Sequence, residues 1–146
     1  MTAPVSPPPL EALKLHLQER SQRLTGPRRA VLEALRGHRR PLSIRELFAA
    51  LPAGECDLAT VYRSLHLLRR LGMVQRFDLG DGRARFTLVP PGASGHHHHL
   101  ICTRCAAVVA LDECFPPEFE ERIAAHNGYR SVTHRLEFFG VCPRCQ

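Results

Sequence analysis

Residues 57–89 read DLATVYRSLHLLRRLGMVQRFDLGDGRARFTLV, and a change of period inside this stretch decides the fold of the first half of the chain. Asp57 is a helix N-cap residue. Leu58, Val61, Leu65 and Leu68 then recur at helical spacing, so a helix with one apolar stripe is expected until Gly72 ends it. From Met73 the period becomes two. MVQRFDL and RARFTLV alternate on either side of Gly80-Asp81-Gly82, which predicts a hairpin.

Working outward toward the N-terminus, Ser43 can cap IRELFAAL, with Glu46 at the capping-box position and Pro52 and Gly54 closing the helix. Before it, Thr25 and Pro27 open a helix that carries Ala30, Val31, Ala34 and Leu35 on one face and stops at Gly37. Leu10, Leu13 and Leu17 mark a first helix over roughly 10 to 20. Residues 1–9 are Pro-rich and expected to be disordered. Helices followed by a hairpin over 10–89 describe a winged helix-turn-helix. Its fourth helix would enter a DNA major groove, with the hairpin as a wing on the backbone.

Residues 90–95 (PPGASG) predict a linker. Beyond it, HHHHLICTRCAAVVAL reads as two strands, PPEFEERIAAHNG as a helix capped by Gly128, and YRSVTHRLEFFGV as a strand. The expected whole is α+β, a winged helix followed by a small α/β domain over 96–146. A unit of about 50 residues buries too little surface to stand alone, so a metal, a disulfide or an oligomer partner is expected to staple it.

The 146 residues carry a net charge of +6, distributed unevenly. Residues 1–90 hold fifteen Lys and Arg against eight Asp and Glu, whereas 91–146 hold five against six. A polyanionic partner is therefore expected for the first half only. No apolar run approaches the ~20 residues that span a bilayer, and the opening MTAPVSPPPL lacks the basic and apolar regions of a signal peptide. A cytoplasmic protein with no membrane partner is expected, and reduced cysteines there point to metal or catalysis rather than disulfides.

Cys102-x2-Cys105 and Cys142-x2-Cys145 are two knuckles that can complete a closed tetrahedral four-thiolate site, the arrangement of structural zinc. Cys56 and Cys114 belong to no motif and are expected to be small buried hydrophobes. His96, His97, His98 and His99 run directly into a strand, whose alternation sends His96 and His98 to one face and His97 and His99 to the other. One run can thus seed two sites for a second, regulatory divalent metal, Zn, Fe(II) or Mn(II). His134 and Glu118 are the expected completing ligands of one of them.

ATVYRSL, HHHHLICTRC, HRLEFFGVCPRC and RLTGPRRAVLEAL together resemble the ferric uptake regulator (Fur) superfamily of bacterial metal-responsive repressors. The resemblance implies a homodimer, structural zinc on the four knuckle cysteines, and a regulatory metal that closes the domains onto a palindromic double-stranded DNA operator. By motif match, Tyr62 and Arg63, with Thr60 on the same helix, fall to DNA reading. His96, His98 and His134 fall to a site within the dimerisation domain, and His97 with His99 to an interdomain sensing site. The chain departs from the iron- and peroxide-type pattern at Pro41, Thr87 and Ala110, and from the zinc-type pattern at Val89 and Gln75. Asp78, Asp81, Cys56, Asp112 and Glu113 are the candidate replacements. Pro117 stands where the family has a Glu, so Glu118 is offset by one residue, and His98 replaces a common Asp. That nitrogen-richer set favours a zinc-responsive repressor, with iron, manganese or peroxide sensing as the alternatives. A His-rich metallohydrolase is the rival from another class, but no HExxH, nucleophile elbow or phosphate loop is present.

Overall fold

The computed structural model describes residues 7–38, 40–89, 98–111 and 114–146. The expected linker 90–95, His96, His97, Asp112 and Glu113 lie outside the described residues. The chain divides into two compact units, Met1–Ala93 and Ser94–Gln146; among the described residues the first combines four helices and the second one helix with a three-stranded sheet, so the chain is α+β.

In the first unit the order is α1 (Leu10–Gln18), α2 (Gly26–Arg36), β1 (Leu42–Ser43), α3 (Ile44–Ala50), α4 (Leu58–Arg70), β2 (Val74–Asp78) and β3 (Ala84–Leu88). The strands run antiparallel in the order β1-β3-β2. Strand β1 was not expected, because two residues are too few to show alternation. It forms where Leu42 and Ser43 lie opposite Phe86 and Arg85, extending the hairpin by one strand.

The helix starts follow local chemistry. Ser43 and Glu46 form a reciprocal capping box, and Asp57 accepts a 2.7 Å hydrogen bond from the Thr60 N–H. Thr25 occupies the N-cap of α2 without a side-chain bond to the helix. Leu13, Leu17, Val31, Leu32, Leu35, Leu47, Val61, Leu65, Leu68, Met73 and Phe86 make one core. Leu58, expected in the α4 stripe, is 43% exposed, since at the first helical position it precedes the turn that packs. Gly72 closes α4 in the left-handed region at φ +70°, where a side chain would be strained. Pro7–Pro9, expected to be disordered, are tied down instead: Pro8 is buried and its carbonyl accepts from Arg36 Nε at 2.8 Å.

In the second unit β4 (His98–Cys102) is the centre of the sheet, between β5 (Val108–Leu111) and β6 (Glu137–Gly140). Strand β5 pairs antiparallel and β6 parallel. A parallel return needs a crossover, and α5 (Pro117–Asn127) lies in the connection between β5 and β6. The long strand expected over 129–141 shrinks to four residues, which leaves His134 in irregular chain three residues ahead of β6.

This unit is poorly covered by its own side chains. No residue of α5 is buried. Leu100, Val109 and Phe138 form one cross-strand row, each more than 40% exposed.

Candidate metal centres and nucleic-acid interface

Strand β4 carries a ligand-bearing residue at each end, His98 and Cys102, about 13 Å apart at ~3.3 Å per residue. At the Cys102 end, the Sγ atoms of Cys102, Cys105, Cys142 and Cys145 all lie within 4.8 Å of one another, and none is in a disulfide. Cys105 and Cys142 are 3.7 Å apart, against about 3.8 Å for the edge of a tetrahedron of thiolates at 2.3 Å from zinc. Backbone N–H donation from Cys142, then from Cys105, brings the Cys102 thiol down to about 6. Hydrogen bonding with Cys142, then with Cys105, favours the protonated form of Cys145 and pushes it up to about 12. Four sulfurs this close hold four negative charges together only around a cation. The donor set therefore fits a tetrahedral thiophilic ion with no open position.

Near the His98 end a second cluster forms from three distant segments. His98 Nε2 and His134 Nε2 face each other at 3.0 Å, and Cys114 Sγ lies 3.5 Å from His134 Nε2. The three donor atoms fall within 4.8 Å of one another. His98 is buried, and its ring stacks on His134 with centroids 4.8 Å apart. On the far side of the His134 ring, Nδ1 is 2.7 Å from Glu120 Oε1. A carboxylate accepts there, so the ring proton sits on Nδ1 and the Nε2 lone pair is aimed at His98 and Cys114. That is how a histidine is oriented toward a metal.

The side chains brought together here differ from the expected set in two respects. The carboxylate beside His134 is Glu120 rather than Glu118, which is exposed. Two residues along a helix is a rotation of about 200°, so the two side chains leave opposite sides of α5. Cys114, expected to be a buried hydrophobe, is exposed and belongs to the cluster. Neither Cys114 nor Glu120 stands at a motif spacing from a His, so no local signal marks them. His99 is buried on the opposite face of β4 from His98. Two of the candidate partners for the interdomain site are engaged within the wing. Asp81 takes a bidentate bond from Arg85, which holds its carboxyl at about 2, and Asp78 accepts from the Gly80 N–H.

On the first unit, α4 turns Val61, Ser64, Leu65 and Leu68 into the core and presents Tyr62, Arg63, His66, Arg69 and Arg70 outward. Tyr62 is 53% exposed, so it is not a packing residue between helices. Arg63 donates to Thr60 Oγ1 at 2.7 Å and lies 4.0 Å from Asp57 Oδ1. The N-terminal turn of α4 thereby holds its guanidinium in place.

The Ferric uptake regulator family model matches residues 19–139. The chain is 35% identical over 139 residues to the ferric uptake regulation protein of Bacillus subtilis (strain 168), covering 93% of each. Among solved structures it is similar to holo XcZur, at TM-score 0.75 and 29% identity, covering 93% of this chain and 95% of that one. It is also similar to a zinc-bound manganese uptake regulator, at TM-score 0.58 and 34% identity, covering 90% and 98%. A basic winged helix joined to a small sheet with two sulfur- and nitrogen-rich clusters defines a metal-responsive, DNA-binding transcription regulator. The chain belongs to the ferric uptake regulator family. Members of that family are repressors rather than enzymes, which removes the metallohydrolase alternative.

Proposed function

We propose that this protein is a homodimeric repressor of metal-uptake genes that binds a palindromic operator when zinc is sufficient. The observation that carries the metal assignment is the donor chemistry of the second cluster. Among the described residues two imidazole nitrogens and a sulfur converge there, while the Glu120 carboxylate bonds the far side of a ring instead of joining them. Such a set suits zinc better than manganese or iron(II), which prefer more oxygen. The four knuckle cysteines hold a structural zinc in this reading, and His98 and His134, with His96, hold the regulatory ion.

DNA reading falls to Tyr62 and Arg63, with Thr60 as the brace of Arg63. The surrounding arginines contact phosphates. Dimerisation is supported by the bare α5 and by the exposed row Leu100, Val109 and Phe138, which a second copy of the unit would cover. Among the described residues no helix is long and apolar enough to cross a membrane, in keeping with a cytoplasmic DNA-binding role.

Operator binding titrated with zinc, iron(II) and manganese(II), on protein retaining its knuckle zinc, tests the reading. Zinc is expected to raise operator affinity about 100-fold, a coupling of about 2.7 kcal/mol. A larger response to iron(II) or manganese(II) overturns the zinc assignment, and no response to any metal overturns metal dependence. His134→Ala is expected to abolish the response. Should His97→Ala with His99→Ala abolish it while His134→Ala does not, the regulatory ion belongs to the other face of the run.

A further inference from the structure

The second cluster contains a ligand that the expected histidine and carboxylate set does not. We propose that Cys114 is a direct thiolate ligand of the regulatory ion, adding a sulfur to the nitrogens of His98 and His134. The inference rests on reading the cluster as a metal site and goes beyond it in naming a sulfur donor.

Distance supports it first. Zinc–imidazole bonds of about 2.0–2.1 Å and a zinc–thiolate bond of about 2.3 Å, set at tetrahedral angles, separate nitrogen from sulfur by about 3.5–3.6 Å. Cys114 Sγ stands 3.5 Å from His134 Nε2. Lone-pair geometry supports it second. Glu120 accepts a hydrogen bond from the His134 Nδ1–H, so the Nε2 lone pair points at the space shared with His98 Nε2 and Cys114 Sγ. The position on the chain supports it third. Cys114 lies three residues before α5, whose Glu120 orients His134, so the start of this segment and the helix approach the ring from two sides. A sulfur in the first coordination shell selects zinc against manganese and iron(II) more strongly than a carboxylate would.

Cobalt(II) is the probe, added to full-length protein whose knuckle sites are filled with zinc, with zinc release followed by a chromophoric chelator. One further cobalt per chain is expected to give visible bands of tetrahedral cobalt together with a near-ultraviolet sulfur-to-cobalt charge-transfer band, and no released zinc. In Cys114→Ala the charge-transfer band is expected to vanish while cobalt still binds more weakly. Glu120→Ala is expected to retain the band but to lose about 10–100-fold in affinity, as for removal of a group that orients a ligand. Cobalt binding in the wild type without the charge-transfer band, or a band unchanged in Cys114→Ala, overturns Cys114 as a ligand and leaves the metal site standing. Failure of any second cobalt to bind overturns the site and the ligand together. Cobalt bound by wild type and by His134→Ala with equal affinity places the ion elsewhere and overturns both as well.

Discussion

At the residue scale, the four-cysteine cluster and the exposed side of α4 make different demands on single side chains. Cys102 lies at the end of β4, and its sulfur accepts the Cys142 N–H at 3.4 Å, so it joins the sheet to the terminal knuckle even before a metal is considered. Binding free energy at a closed zinc site is folding free energy, on the order of 10 kcal/mol, which is far more than a 50-residue unit has in reserve. Cys102→Ser is therefore expected to lose one zinc per chain and to unfold the second unit while the first unit stays folded. Zinc analysis and calorimetry check it, and a full zinc complement with an unchanged melting transition contradicts it. Arg63 is a different case, because it is exposed and its removal disturbs no core contact. Arg63→Ala is expected to leave the melting temperature unchanged and to cost about 1–3 kcal/mol of operator binding with relaxed preference at one base position. Arg69→Ala is expected to weaken operator and random DNA alike and to flatten the salt dependence. Equal operator-to-random ratios for wild type and Arg63→Ala contradict the assignment.

At the element scale, the start of α3 shows how a short helix is held. Its seven residues bury only Leu47, so the capping box at Ser43 and Glu46 carries a large share of its stability. Ser43→Ala is expected to destabilise the first unit by about 1 kcal/mol in chemical denaturation. Glu46 gives the same motif a pH signature. The Arg40 guanidinium, 2.7 Å away, and then the Ser43 N–H hold its carboxyl down from 4.5 to about 2. A depressed folded value means that the contribution is fully present above the unfolded value and is lost as pH falls through the folded one. The stability difference between wild type and Glu46→Gln is therefore expected to be constant above about pH 5 and to shrink between pH 4.5 and 2. Surface exposure of the pair keeps the effect small. A difference that grows toward acid pH contradicts the assignment.

At the scale of the whole molecule, the proposed dimer would be built on apolar surface that the second unit leaves exposed. Leu100, Val109 and Phe138 form a row across all three strands, and Phe115, Ile123, Phe139 and Tyr129 are also exposed. Scattered exposed apolar residues need no explanation, whereas a contiguous row across a sheet is the kind of surface that the proposed dimer would cover. Phe138→Glu is expected to shift sedimentation from dimer to monomer, with the knuckle zinc still bound, and to abolish operator binding, since a palindrome needs two half-site readers. A dimer that persists in Phe138→Glu places the interface elsewhere.

What could be read from the sequence alone was whatever is local. Helix caps at Ser43 and Asp57, the glycine stops at Gly72 and Gly128, the hairpin around Gly80–Gly82 and the two Cys-x2-Cys knuckles all act over a few bonds. Each carries its signal within a few residues. The family motifs lie in the same local stretches, which is why the winged helix, the α+β class and the membership were legible. Tertiary structure alone decided the second cluster. His98, Cys114 and His134 are separated by 16 and 20 residues, and no spacing rule joins them. Which carboxylate meets His134 turned on the 200° rotation between Glu118 and Glu120 and on how α5 approaches the irregular chain before β6. Strand β1, only two residues long, likewise exists because β3 offers it an edge. Such features depend on where separate elements meet, a property that no window of sequence contains.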